Sequence, residues 1–257
     1  MLPAVISIPY RIAICGIALA AMLGAHNGAA GQTVAPDYAA IVAAPERSDA
    51  DRQTDQPRDP AKLLAFAGVR PGMKVLDVGA GAGYSTELLA RAVGDGGVVY
   101  AQDSTQVIER YVKDRFDLRA KALAMEHVVH LVRDYDDPLP QDVRDLDLVT
   151  IFFFYHAISL QPVDRAKMNQ RLFDALKPGG YLVIADHSAR LGDGTAVAST
   201  LLRIEENVVR REVEAAGFKL VAEGDFLRHP DDPRDALVAG SKTPVDEFVL
   251  KFEKPLR

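Results

Sequence analysis

The chain has 257 residues, 48% of them hydrophobic, and a formal net charge of −6. That length and apolar content suffice for one substantial core, so a single domain with short additions is the economical reading. The acidic balance and the lack of any dense basic block give a nucleic-acid partner no electrostatic support. With no His-x-x-x-His pair, cysteine cluster or calcium-loop pattern, no metal is expected either.

Residues 1–30 carry one charge, Arg11, then an apolar run from Ile12 to Leu23 and the small-residue stretch Gly24-Ala25-His26-Asn27-Gly28-Ala29-Ala30. This three-part layout predicts a cleavable secretory signal ending after Ala30, and with it a periplasmic or secreted protein. An uncleaved anchor or a start codon set too early would give the same run. The run falls short of the roughly 20 residues that cross a bilayer, so no membrane span is expected once the leader is removed. Cys15, the single cysteine, lies inside the leader. A mature chain would have no thiol, which suits an oxidising compartment.

Residues 31–58 are polar and broken by Pro36, Pro45 and Pro57, and read as an exposed linker followed by an N-terminal arm or short helix. Asp59-Pro60 opens a helix, an N-cap acceptor followed by proline at the first helical position, and Gly68 closes it. From Pro71-Gly72 onward, strand and helix signals alternate. Strands are predicted over 74–79, 98–102, 127–132, 146–153, 181–185, 218–226 and 248–252. Helices are predicted over 84–93, from Ser104 toward Met125, over 164–176 and over 204–216. The unbroken apolar run of 146–153 is that of a strand buried on both faces. Such alternation predicts an α/β domain from 59 to 257, a parallel sheet with helices on both faces joined by right-handed crossovers.

The chemistry concentrates in Val75-Leu76-Asp77-Val78-Gly79-Ala80-Gly81-Ala82-Gly83-Tyr84-Ser85. A short strand passes through alternating glycines into a helix, whose free N–H groups turn toward whatever the loop holds. Glycine at 79 and 81 lets main chain approach a ligand closely. The dinucleotide pattern G-x-G-x-x-G would need glycine at 84, where Tyr84 stands, which argues against a nicotinamide oxidoreductase.

An acid two residues before G-x-G-x-G resembles motif I of the class I S-adenosylmethionine-dependent methyltransferases. Val99-Tyr100-Ala101-Gln102-Asp103 looks like that family's second strand and its terminal acid. Asp147-Leu148-Val149 looks like the start of its motif IV, and Leu176-Lys177-Pro178-Gly179-Gly180 like the turn before strand five. Ala185-Asp186-His187-Ser188-Ala189, Arg203-Ile204 and Glu212-Val213-Glu214-Ala215-Ala216-Gly217-Phe218 resemble a bacterial group of predicted exported methyltransferases. That group has Tyr-His-Asp after strand four, and this chain has Tyr155-His156-Ala157, so no role is carried over for the acid. The resemblance spans roughly 59–252. It implies a Rossmann-like seven-stranded sheet of order 3-2-1-4-5-7-6, last strand antiparallel, and S-adenosyl-L-methionine as cofactor.

The resemblance also assigns residues. Asp103 would accept hydrogen bonds from two ribose hydroxyls, with Ser104 beside it among the cofactor-binding residues; the alternative for Asp103 is helix capping before Ser104-Thr105. Gly79, Ala80, Gly81 and Gly83 would carry the amino-acid tail on main chain. Asp77 would steady the loop or approach the methionine amino group, and Asp134 would accept from the adenine amino group with Tyr135 beside the ring. On the substrate side, His156 and His187 fall at the carboxyl edge of the sheet, where either could take a proton from an acceptor or serve as a structural histidine. Tyr155, Asp186 and Arg203 complete the candidate substrate residues. Arg203 reads equally as an anion binder or as a salt-bridge partner of Asp186 or Glu206. The leading expectation is methyl transfer to an oxygen or nitrogen nucleophile of a small molecule. The alternative is an exported, non-catalytic nucleoside-binding protein that retains the fold.

Overall fold

The computed structural model describes residues 34–256. The leader and its expected cleavage site lie outside the described residues. Seven strands, β1 (Lys74–Val78), β2 (Val98–Asp103), β3 (Val128–Val132), β4 (Leu146–Phe152), β5 (Leu176–His187), β6 (Lys219–Gly224) and β7 (Glu247–Glu253), form one sheet. Their order is β3-β2-β1-β4-β5-β7-β6, with β7 antiparallel to both neighbours and the remaining pairs parallel. This is the Rossmann-like architecture expected.

Alternation along the strands sorts side chains onto two faces. Leu76, Val78, Val149, Ile151, Leu182 and Ile184 pack on one face. Val75, Val99, Leu148, Val183 and Val249 pack on the other. Both sets are buried, so β1 and β4 read as continuous apolar runs. Helices cover each face. With α1 (Tyr38–Val42), α2 (Asp49–Arg58) and α3 (Pro60–Ala67) preceding it, α4 (Tyr84–Val93) buries Leu88, Leu89 and Val93 on the second face. On the first face, α5 (Arg165–Ala175) buries Met168 and Leu172, and α6 (Glu206–Ala215) buries Val209 and Val213.

Three elements depart from expectation. The helix predicted from Ser104 to Met125 is broken into Thr105–Val107, a π-turn Ile108–Val112, Arg115–Arg119 and a 3-10 turn Leu123–Met125. Its buried residues Val107, Val112 and Phe116 explain why. A gap of five residues between the first two rotates past an α-helical face, and a π-turn absorbs the additional residue. Lys113, at φ 54°, then ends that segment. Secondly, the turn Lys177-Pro178-Gly179-Gly180 sits within β5 as a bulge, where the register with β4 shifts between Leu146 and Leu148.

Thirdly, the described part of the expected linker, 34–58, is folded onto the domain. Ser48 caps α2 by accepting from the Asp51 N–H at 3.1 Å. The charges that read as solvated are paired. Arg47 makes two 2.7 Å bonds to Asp55. Arg119 grips Asp51 at 2.8 and 2.9 Å and also pairs with Glu87 of α4. Asp59 closes α2 with its N–H on Asp55 and starts α3 by accepting from the Lys62 N–H at 3.4 Å, at φ 37°.

Candidate functional site

The glycine loop, 79–83, crosses from β1 to α4 at the carboxyl edge of the sheet. Gly79, Gly81 and Gly83 all have positive φ, at 74°, 59° and 80°, which side-chain-bearing residues adopt only with strain. The N–H groups of Gly79 and Ala80 both donate to the Gln102 carbonyl, at 2.8 and 3.2 Å. The end of β2 thus pins the loop.

Asp103, the last residue of β2, accepts from the Gly81 N–H at 2.8 Å through Oδ2 and from the Tyr135 hydroxyl at 3.2 Å through Oδ1. Its relative exposure is 0%. Burial pushes its pKa up to about 7, against the pull of the Gly81 N–H, and the nearby Asp77 charge adds to the rise. Burial also raises the Tyr135 phenol well above its usual range, with Asp103 reinforcing it. Ser104 spends its hydroxyl on the Val107 N–H at 3.3 Å, capping the turn that follows.

Asp77 points under the loop. Its oxygens accept from Thr86 of α4 at 2.7 Å and Thr150 of β4 at 2.9 Å. Burial pushes its pKa up to about 6, with both hydroxyls pulling the other way. Of the two roles expected for Asp77, this geometry serves the loop-steadying one; both oxygens are committed inside the protein. Asp134 is exposed in the turn after β3.

One residue not anticipated from sequence dominates the outer surface of the loop. A Cβ on Gly79 would come within 2.2 Å of the Phe154 ring, so the ring lies directly against this glycine. The Tyr135 ring stands 5.6 Å from it, centroid to centroid. The donor set fits S-adenosyl-L-methionine: a carboxylate at the tip of β2 and a Cβ-free cradle that admits a flat group at contact distance. Phe154 occupies that cradle and Tyr135 holds Asp103, so a ligand reaches both only after these rings turn aside.

The chain separates Phe154 from its neighbour by an unusual step. Phe153 has φ 57°, a conformation that costs a bulky residue on the order of 1–3 kcal/mol and concentrates at functional sites. It sends Phe154 toward Gly79 and stacks Phe153 on His187, 5.3 Å between centroids.

On the substrate side, two histidine–carboxylate pairs adjoin. His156 Nδ1 lies 2.7 Å from Asp186 Oδ1, and the His156 N–H donates to Oδ2 at 2.8 Å. Burial opposes charge on both groups, yet each outweighs it for the other. Asp186 holds His156 above its usual range, and His156 holds Asp186 below the carboxylate range. His187 Nδ1 lies 2.8 Å from Glu247 Oε1, its direct cross-strand neighbour in the β5–β7 register. The two imidazoles are 5.7 Å apart. His187 and Glu247 line a cleft of about 720 Å³ together with Arg58, Asp59, Val238 and residues 240–245.

Two expected substrate residues belong to the framework instead. Tyr155 is fully buried, its hydroxyl donating to Glu212 at 2.8 Å and accepting from Asn169 at 3.0 Å, which ties the turn after β4 to α5 and α6. Arg203 is 1% exposed and binds Asp232 at 2.8 Å and the Ser188 carbonyl at 3.0 Å. It is a salt-bridge residue, but with Asp232 and not with Asp186 or Glu206. Asp186 itself is buried under both histidines. Among the described residues, no group of three or more His, Cys, Asp and Glu is arranged to hold a metal ion.

Comparison with known proteins bears on this site. Residues 75–180 match the family model of a methyltransferase domain, a segment that runs from β1 through the loop, Asp103, Phe154 and His156 into β5. The chain is 32% identical over 127 residues to the ubiquinone/menaquinone biosynthesis C-methyltransferase UbiE of Vibrio campbellii, covering 49% of this chain and 46% of that protein. It is 31% identical over 166 residues to the protein-L-isoaspartate O-methyltransferase of Aeropyrum pernix, covering 64% and 57%. The chain therefore spans about half the length of these curated relatives. Among solved structures, a SAM dependent methyltransferase from Aquifex aeolicus superposes with a TM-score of 0.56 at 23% identity, over 80% of this chain and 98% of that one. That likeness establishes the fold.

Proposed function

We propose that this protein is an S-adenosyl-L-methionine-dependent methyltransferase acting on an oxygen or nitrogen nucleophile of a small molecule. One observation carries the reading. The segment that matches a methyltransferase domain contains a glycine loop pinned to the end of β2, with the Asp103 carboxylate on the Gly81 N–H. Bound there, the cofactor supplies an electrophilic methyl group. Asp103 holds the ribose, the glycine main chain carries the amino-acid tail, and Asp134 and Tyr135 border the adenine end. The two relatives named differ in the atom methylated, carbon in one and oxygen in the other, so oxygen or nitrogen rests on the cleft itself. Glu247 accepts the His187 Nδ1–H, which leaves the Nε2 lone pair to take a proton from an acceptor hydroxyl or ammonium. His156, locked to Asp186, holds the neighbouring wall. The rest of the acceleration is positioning, which needs no covalent intermediate.

A second reading, an exported non-catalytic nucleoside-binding protein that retains the fold, is favoured by two observations: Phe154 fills the cradle and Asp103 has no exposed surface. Calorimetry with S-adenosylmethionine and its demethylated product separates the two. Micromolar binding that Asp103→Ala abolishes supports the transferase. Absence of binding to wild type at millimolar ligand supports the second reading and removes the first.

We propose further that the leader read in residues 1–30 directs this activity outside the cytoplasm. A purified periplasmic or secreted form beginning at Gly31 is the expected product; an intact chain in the cytoplasmic fraction would refute that placement.

A further inference from the structure

Arg58 stands apart from the other enclosed arginines of this chain. Arg47 donates to the Val42 carbonyl and Asp55. Arg119 donates to the Ala82 carbonyl, Asp51 and Glu87. Arg203 donates to the Ser188 and Ala236 carbonyls and Asp232. The Arg58 guanidinium lies 4.5 Å above the Phe153 ring and 5.4 Å from the Tyr84 ring. Among the described residues it makes no hydrogen bond and no ion pair. Five N–H donors held over aromatic faces in a partly desolvated position are costly to leave without an acceptor. Burial indeed drives its pKa below the ordinary range, against the attraction of Tyr84, Glu247 and Asp186.

The acids nearby do not answer it. Glu247 is committed to His187, and Asp186 to His156 and the His187 N–H. The cleft of about 720 Å³ opens where Arg58 and His187 share a wall, and Lys242 adds a second cation to its rim. Arginine on a ring face keeps its planar fork free for a bidentate acceptor, the geometry in which it recognises carboxylates and phosphates.

We propose that Arg58 is the anion-recognising residue of this cleft, and that the methyl acceptor carries a carboxylate or phosphate group beside its nucleophile. The acceptor part of this statement rests on the transferase reading; the anion site does not. The ring pair fixes the guanidinium, the anion docks on its fork, and the nucleophile is thereby held beside His187.

The test is calorimetry on the whole folded protein without cofactor. Benzoate and phenyl phosphate serve as anionic probes, and benzamide as the neutral counterpart of benzoate. Wild type should bind at least one anion about tenfold or more tighter than benzamide, and which anion identifies the group. Arg58→Gln should abolish that preference and Arg58→Lys should retain part of it. Arg190→Gln, at an exposed pair with Asp235, should leave it unchanged. Equal affinity for all three probes in wild type, which needs no variant, overturns the proposal. So does a preference that survives Arg58→Gln. Loss of the anion preference with S-adenosylmethionine binding intact discards this site alone. An Arg58-dependent preference without any S-adenosylmethionine binding discards the transferase and keeps the site.

Discussion

Phe154→Ala should tighten cofactor binding, although it removes a ring from the putting-together of the core. In wild type the ring lies on Gly79 and against Tyr135, so the binding-competent state is one in which it has left that position. Complete burial of a phenylalanine is worth roughly 1.5–3 kcal/mol. Phe154 is only partly buried, which puts displacement at about 1–2 kcal/mol. Apparent affinity is multiplied by the competent fraction, so the apparent Kd is the intrinsic Kd divided by it, and about 1.4 kcal/mol is a factor of ten. The alanine variant should therefore bind S-adenosylmethionine about 5- to 30-fold tighter by calorimetry, while its melting temperature falls. Unchanged or weaker binding would refute the reasoning, because it would show that the ring forms a wall of the bound site and does not stand in it.

Further outcomes follow from the charged groups. Arg203→Ala leaves Asp232 without its buried partner and should cost about 3–5 kcal/mol in urea unfolding; a loss under 1 kcal/mol would contradict the framework role. Asp103 has a folded pKa near 7, above the unfolded carboxylate value. It binds a proton in the folded state that the unfolded chain releases, so its stabilising contribution is whole below about pH 4 and is lost as pH rises to about 7. Asp103→Asn should therefore gain melting temperature relative to wild type as pH rises from 5 to 7, and a flat difference across that window would refute the assignment. Arg119→Ala removes the cation that joins Asp51 of α2 to Glu87 of α4 and should make α2 the first site of limited proteolysis; unchanged cleavage kinetics would show that other contacts hold the arm.

What sequence revealed and what it concealed divide along one physical line. The glycine loop, the acid at the tip of β2 and the alternation of strand and helix are local patterns, set by backbone angles and by side-chain periodicity within a few residues. They were legible for that reason, and the sheet order followed from the resemblance they carry. Sequence leaves the role of Arg203 open because its partner, Asp232, lies in a turn whose position depends on the β6–β7 hairpin. Glu247 carries no local signal although it faces His187; only the antiparallel register of β7 against β5 brings them together. Phe154 follows the end of a buried strand, and nothing in the run Phe152-Phe153-Phe154 announces the left-handed residue that turns one ring toward the loop and stacks the other on His187. Arg58 was hidden more deeply still. It belongs to a segment whose polarity and prolines signal exposure, and its significance lies in the acceptors it lacks. Pairing of Arg47 with Asp55, and of Asp51 with Arg119, neutralises that polarity and folds the segment down. The same pairings consume Asp51 and Asp55 of α2 and leave its last arginine over two rings with its donors unclaimed. A solvated arm would have had no reason to place a cation there; a docked one does so as a consequence of docking, which makes α2 part of the cleft and not a tether to it.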